Sequence, residues 1–312
     1  MHNDNAEQVS LSVAISPHIH GEATTNRIML DVLIALTPAF VCSILIFGFR
    51  SALVVCVCIA TCVICEWVYE KAMKKAVTIK DLSAIITGVL LAYNLPASIP
   101  IWQAVFGSAV AIILVKQLFG GLGKNFANPA ITARIVMFLA FSVSMTAWTL
   151  PPDGITGATP LALIAKGEID ALPAIKDMLV GLRGGSLGET CAVALLLGGM
   201  YMIIRRVISW HTPVAFIATV FVFTAILGQN PLHHCLSGGL LLGAIFMATD
   251  YVTTPHTKRG KLFFGIGAGL LTVLFRIYGS FPEGVSFAIL LMNILTPYIN
   301  RFTETKPLGG VY

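Results

Sequence analysis

The chain has 312 residues and a formal charge of +5, and 56% of its residues are hydrophobic against 11% charged, where soluble domains carry about 25% charged residues. A mean hydropathy of +0.85 excludes a soluble enzyme and makes the surplus of Lys and Arg a matter of membrane topology, not of nucleic-acid binding. Seven cysteines lie in or beside apolar stretches, which excludes a disulfide framework.

Residues 1–27 are polar and include Asp4, Glu7 and Glu22, without the basic, apolar and small-residue regions of a cleaved signal. They are expected to remain as a cytoplasmic N-terminal segment. Apolar spans follow near 28–48, 52–70, 82–95, 99–119, 130–148, 187–208, 212–228, 235–249, 261–279 and 284–302, each compared with the roughly 20 residues a membrane helix needs. The expected fold is therefore an all-α polytopic membrane protein with ten transmembrane helices. Ten crossings put both termini on one side. Of the 20 Lys and Arg, only Arg50, Lys166, Lys176, Arg183 and Arg276 then fall on the other side, so the termini are cytoplasmic by the positive-inside rule.

Cys58, Cys62 and Cys65 share one face of the second span. Thiolates so placed could ligate iron, but cysteine also packs between helices as a small apolar residue, and no metal is assigned. His211, His233, His234 and His256 match no ligand pattern and are assigned none either. Asp31, Glu66, Glu70 and Asp250 lie near the inner ends of spans and read as interfacial anchors reached by water. No acidic residue sits at the centre of a span, so a carboxylate-lined ion path through this chain alone is not expected.

The third and eighth spans are too short to cross unaided, and they hold matching places in the two halves. Leu82-Ser83 opens one as Leu236-Ser237 opens the other. Five crossings per half is an odd number, so the halves would be inverted repeats, 28–148 and 187–302, with short broken helices 3 and 8 near the functional centre. Between them 149–186 forms an extracytoplasmic loop, and 303–312 is a cytoplasmic tail.

That loop holds Asp153-Gly154-Ile155-Thr156-Gly157-Ala158-Thr159-Pro160. Its glycines permit unusual backbone angles, successive N–H groups can form an anion-binding nest, and Pro160 suits the first turn of a helix whose N-terminus favours phosphate. By its residues alone it reads first as an ordinary turn. A second glycine-rich turn, Gly120-Gly121-Leu122-Gly123-Lys124-Asn125, precedes Asn128-Pro129, which reads as a cap and first-turn proline opening the fifth helix.

The run Asp153-x-x-Thr156-Gly157-Ala158-Thr159 resembles the flavin-attachment motif of a family containing the D-type subunit of the Rnf ion-translocating electron-transport complex and the B-type subunit of the sodium-translocating NADH:quinone reductase. The likeness extends to the turn at 120–130 and to Ala248-Thr249-Asp250-Tyr251-Val252-Thr253-Thr254-Pro255, and the short N-terminal segment is closer to the Rnf member. It implies FMN joined through its phosphate to Thr159 by a flavin transferase, with Asp153, Thr156, Gly157 and Ala158 shaping the acceptor site. It also implies non-covalent riboflavin near the third and eighth spans, and an electron relay coupled to Na⁺ or H⁺ movement in a bacterial or archaeal cell membrane. Its partners would be the other membrane and peripheral subunits of an ion-translocating ferredoxin:NAD⁺ oxidoreductase. No Walker loop, dinucleotide fingerprint or CxxC set is present, so this chain alone is expected to hold no complete catalytic site. The alternatives are the quinone-reductase subunit and a flavin-free solute channel or transporter.

Overall fold

The computed structural model describes residues 24–149, 157–279 and 283–304. Asp153 and Thr156 lie outside the described residues, as do the first 23 residues and the last eight. The described chain is helical, without a strand. Four helices are long and apolar enough to cross a membrane: α1 (Thr25–Phe47), α2 (Phe49–Ala72), α13 (Lys258–Tyr278) and α14 (Val285–Thr303). Shorter apolar helices pack among them, namely α3 (Ser83–Tyr93), α4 (Ile101–Gln117), α5 (Pro129–Ala140), α9 (Ala192–Ile204) and α10 (His211–Ile226). Leu45, Phe49, Val143, Ile226 and Phe302 remain exposed, as befits side chains facing lipid, and the chain is a multi-pass membrane protein.

Helix starts follow local sequence. Asn128 Oδ1 accepts from the N–H groups of Ala130 and Ile131 at 3.0 and 3.3 Å, with Pro129 in the first turn of α5. Asn230 and Pro231 open α11 (Pro231–Leu236) in the same way. Gly120, Gly121 and Gly123 adopt φ of +113°, +91° and +89° in the turn before α5, left-handed positions that favour glycine.

Several expected spans are shorter or broken. The fifth ends at Ala140 and resumes only as α6 (Ser142–Met145), and the sixth becomes helical only at Ala192. The eighth is split: α11 stops at Leu236, Gly238 and Gly239 turn the chain through φ of +64° and +67°, and α12 (Leu240–Leu242) continues as a π-helical turn over Gly243–Met247. Paired left-handed glycines break the helix, as expected of the eighth span, at a point that hydropathy does not mark.

Non-helical backbone inside hydrocarbon must find partners within the protein. The carbonyls of Tyr93, the last residue of α3, and of Leu95 accept from the N–H groups of Gly188 and Leu187 at 3.0 Å each. Arg50 donates to the next stretch, the carbonyls of Ala97, Ser98 and Ile99, at 2.9–3.3 Å. The segment preceding α9 therefore folds back against the end of α3, and Arg183, Ser186, Glu189 and Thr190 are buried there.

Candidate functional site

Thr159 caps α7 (Pro160–Lys166), its Oγ1 accepting from Ala162 N at 3.2 Å. The Gly157 N–H donates to the Trp148 carbonyl at 3.0 Å. Thr159 is 6% exposed, whereas Ala158 is open to the outside. Ala158 and Pro160 face a cleft of about 330 Å³ whose other walls include Leu163, Pro173, Leu182 and Arg183. Its size and apolar walls suit a planar organic group. The Thr159 side chain does not itself line that cleft, because alternate residues of an extended chain point to opposite sides and Thr159 is extended (φ −71°, ψ 157°).

Beneath α7 lies a buried layer of charge. Leu161 rests on Gly238, where a Cβ would come within 2.2 Å of its Cδ1 and 3.1 Å of Arg276 Nη2. Arg276 donates to the carbonyls of His234 and Ser237 at 2.6 and 2.8 Å. Glu189 Oε2 lies 2.7 Å from the position of a Gly239 Cβ, and Arg134 Nη1 lies 3.6 Å from it. Arg134 also binds Asn94 Oδ1 and Ser286 Oγ at 2.9 Å each and Glu283 Oε2 at 2.8 Å. Arg183 donates to the Glu189 carbonyl at 2.8 Å. Glu189 Oε2, Arg183 Nε, Arg276 Nε, Ser186 Oγ and Ser237 Oγ are buried without a partner among the described residues, so the layer has hydrogen-bonding capacity left for water or a cofactor. Burial pushes the Glu283 carboxyl up to about 7, against the pull of Arg134.

A second cavity lies at the starts of α3 and α5. Its volume is about 100 Å³. Ile28, Ile86, Leu90, Met202 and Phe246 supply apolar walls, while Ser83, Thr87, Lys116, Asn125, Asn128 and Asp250 supply polar groups. Both short expected spans, the third and the eighth, contribute to it, and so does the glycine-rich turn.

Glu66 and Glu70, expected as water-reached anchors, are instead 0% and 2% exposed. Glu66 Oε1 accepts from Lys116 Nζ at 2.6 Å and from Gln117 Nε2 at 2.9 Å. Asp31, also buried, is held by Tyr201 and Arg205. Among the described residues no three His, Cys, Asp or Glu side chains are grouped to hold a metal, and Cys58 and Cys62 are buried in packing contacts. Counting Lys116, Arg134 and Arg276 only as topology markers overlooks their role as buried partners. A basic residue inside an apolar span is the available signal, since such residues are costly in lipid and pair within the protein.

The profile of the NQR2, RnfD, RnfE family matches residues 12–309. The D-type subunit of the Na(+)-translocating ferredoxin:NAD(+) oxidoreductase complex of Acetobacterium woodii is 45% identical over 306 residues, covering 97% of this chain and 96% of the relative. Its counterpart in the proton-translocating ferredoxin:NAD(+) oxidoreductase complex of Clostridium ljungdahlii is 39% identical over 317 residues, with 96% of each chain covered. The D-type subunit of the ion-translocating oxidoreductase complex of Stutzerimonas stutzeri is 37% identical over 335 residues, covering 92% and 93%. With a match over nearly its whole length and relatives aligned end to end, this chain belongs to the NQR2, RnfD, RnfE family.

Proposed function

We propose that this chain is the D-type membrane subunit of an Rnf complex, an ion-translocating ferredoxin:NAD⁺ oxidoreductase, and that it relays electrons through flavin while Na⁺ or H⁺ is moved. The near full-length relatives, each named as the D-type member of an ion-translocating oxidoreductase complex, favour this over the quinone-reductase subunit and over a flavin-free transporter. Its partners are the other Rnf subunits, the bilayer and, during maturation, a flavin transferase.

FMN is carried as a phosphoester of Thr159, on the extracytoplasmic side. The motif supports this, and the apolar cleft flanked by Ala158 and Pro160 lies beside the attachment residue. Asp153, Thr156, Gly157 and Ala158 present the threonine to the transferase. The bound flavin supplies reversible one- and two-electron chemistry. Thr159 tethers it, the apolar walls limit water around it, and the arginine layer beneath α7 sets the local field. Non-covalent riboflavin is held in the second cavity, between the elements of the third and eighth spans.

The architecture behind this is ten crossings in two inverted halves. Its support is a matched pair of grips: Lys116 of α4 holds Ser83 at the start of α3, and Arg276 of α13 holds the Ser237 carbonyl at the start of the eighth span's inner part.

The deciding measurement is in-gel fluorescence of the denatured chain, made with its transferase, beside Thr159→Ala. Fluorescence in the parent and darkness in the variant are expected. A dark parent, with the transferase active on another substrate, would overturn the assignment.

A further inference from the structure

The second cavity is lined by one fully buried ammonium, and its setting is unusual. Lys116 is 2% exposed although it sits in an apolar helix. The last turns of α4, Val110–Gln117, are π-helical, a winding that recurs at functional sites. Here the wide turn brings two adjacent residues, Lys116 and Gln117, onto the same Glu66 oxygen, whereas adjacent residues of an ordinary α-helix point about 100° apart.

Lys116 Nζ has three N–H groups. One goes to Glu66 Oε1 and one to Ser83 Oγ, each at 2.6 Å. The Ser83 hydroxyl in turn donates to Asp81 Oδ1 at 2.5 Å. The third N–H is left for the cavity. Lys116 and Ser83 line that space, while Glu66 stands behind them, outside it. The pair is therefore a fixed dipole with its positive end toward the cavity. Glu66 Oε2 is buried without a partner, so the carboxylate is under-satisfied by the protein alone.

We propose that Lys116 is the charged contact of the redox ring in this cavity, and that the Lys116–Glu66 dipole favours the reduced ring over the oxidised one. This rests on the assignment of a non-covalent flavin to the cavity. Each electron delivered by the complex's donor adds one negative charge to the ring unless a proton from water follows it. An ammonium in contact lowers the energy of that charge, most strongly in a site of low dielectric, and it lowers the ring's demand for the accompanying proton. The other ionisable groups around Lys116 are Glu70 and Cys62 on α2, Asp81 ahead of α3, and Asp250 and Tyr251 beyond α12. Among the described groups that line the cavity, Lys116 is the sole cation.

The test is a spectroelectrochemical titration of the non-covalent flavin in the purified complex, between pH 6 and 9, after acid extraction has established its occupancy. Lys116→Met combined with Glu66→Gln removes both charges and so avoids a buried unpaired carboxylate. The expected result is a tenfold loss of preference for the reduced ring, about 30 mV for a two-electron couple, with the break in the potential–pH plot moved to higher pH. Lys116→Arg should stay within about threefold of the parent, about half of that shift. Glu66→Gln alone, which leaves the lysine uncompensated, should raise the potential. Loss of flavin from the double variant with retention in Lys116→Arg would also support contact through charge. Unchanged potential and pH break at equal occupancy would overturn this proposal and leave the cavity assignment standing. A parent complex without extractable flavin would overturn both.

Discussion

Arg134 of α5 and Glu283, just ahead of α14, meet at 2.8 Å although they are 149 residues apart, and the same guanidinium holds Asn94 at the end of α3. One buried side chain thus ties together three stretches of chain that carry no local preference for each other. Its surroundings also reach the loop that bears Thr159, through Glu189 beside Gly239 and through Leu161 on Gly238.

Replacing Arg134 by Met should therefore destabilise the protein by about 3 kcal/mol or more, because a buried acceptor set loses its donor. Glu283→Gln should cost much less, since burial already favours the uncharged acid and the amide retains an acceptor. Thermal unfolding in detergent at one pH compares them. Equal losses would contradict this ordering.

The Glu283 carboxyl, pushed up to about 7 by burial, also predicts a pH dependence. Its folded value exceeds the ordinary carboxylate value, so the folded state holds the proton more tightly than the unfolded one. Its contribution is complete below about pH 4.5 and is lost as pH rises through 7. The parent's melting temperature should fall across that window by more than that of Glu283→Gln. Parallel curves for the two proteins would remove Glu283 as the source.

Gly198 marks the crossing of α9 over α1. A Cβ there would lie 2.1 Å from the Ala35 carbonyl oxygen, which is backbone and cannot step aside. Close approach of this kind is what small residues provide between membrane helices. Gly198→Ala should lower stability by about 1–3 kcal/mol, whereas Gly123→Ala, with open space around its Cβ but φ of +89°, should act only through local backbone strain. Detergent melting curves with and without assembly partners separate the two effects.

Thr159 has two roles that substitution can separate. Thr159→Ala should lose both the flavin ester and the cap on α7, the latter worth about 1 kcal/mol locally. Thr159→Ser retains a hydroxyl for the cap. In protein made without the transferase, amide exchange across 160–166 should quicken in Thr159→Ala and not in Thr159→Ser. Equal exchange in both would show that the cap contributes nothing.

Some of this is legible from residues alone. Asn128-Pro129 and Thr159-Pro160 announce their helix starts, since a cap is made within three residues of itself. The third and eighth spans are marked as short, and they do contribute to one cavity. The eighth span reads as broken, but hydropathy averages over the break and does not place it at Gly238-Gly239, and Glu66 is misread as an anchor because its partner, Lys116, is 50 residues away.

The sequence by itself determined that this chain is a bundle of membrane helices and where several of them begin, because hydrocarbon demands long apolar runs with satisfied backbone groups and caps act locally. Tertiary structure decided which charges lie inside, which of them pair, and how the backbone beyond α3 finds donors in residues 187–188. Those outcomes depend on contacts between segments 50 to 150 residues apart, and in a low-dielectric interior such pairings are fixed by geometry that no local pattern encodes.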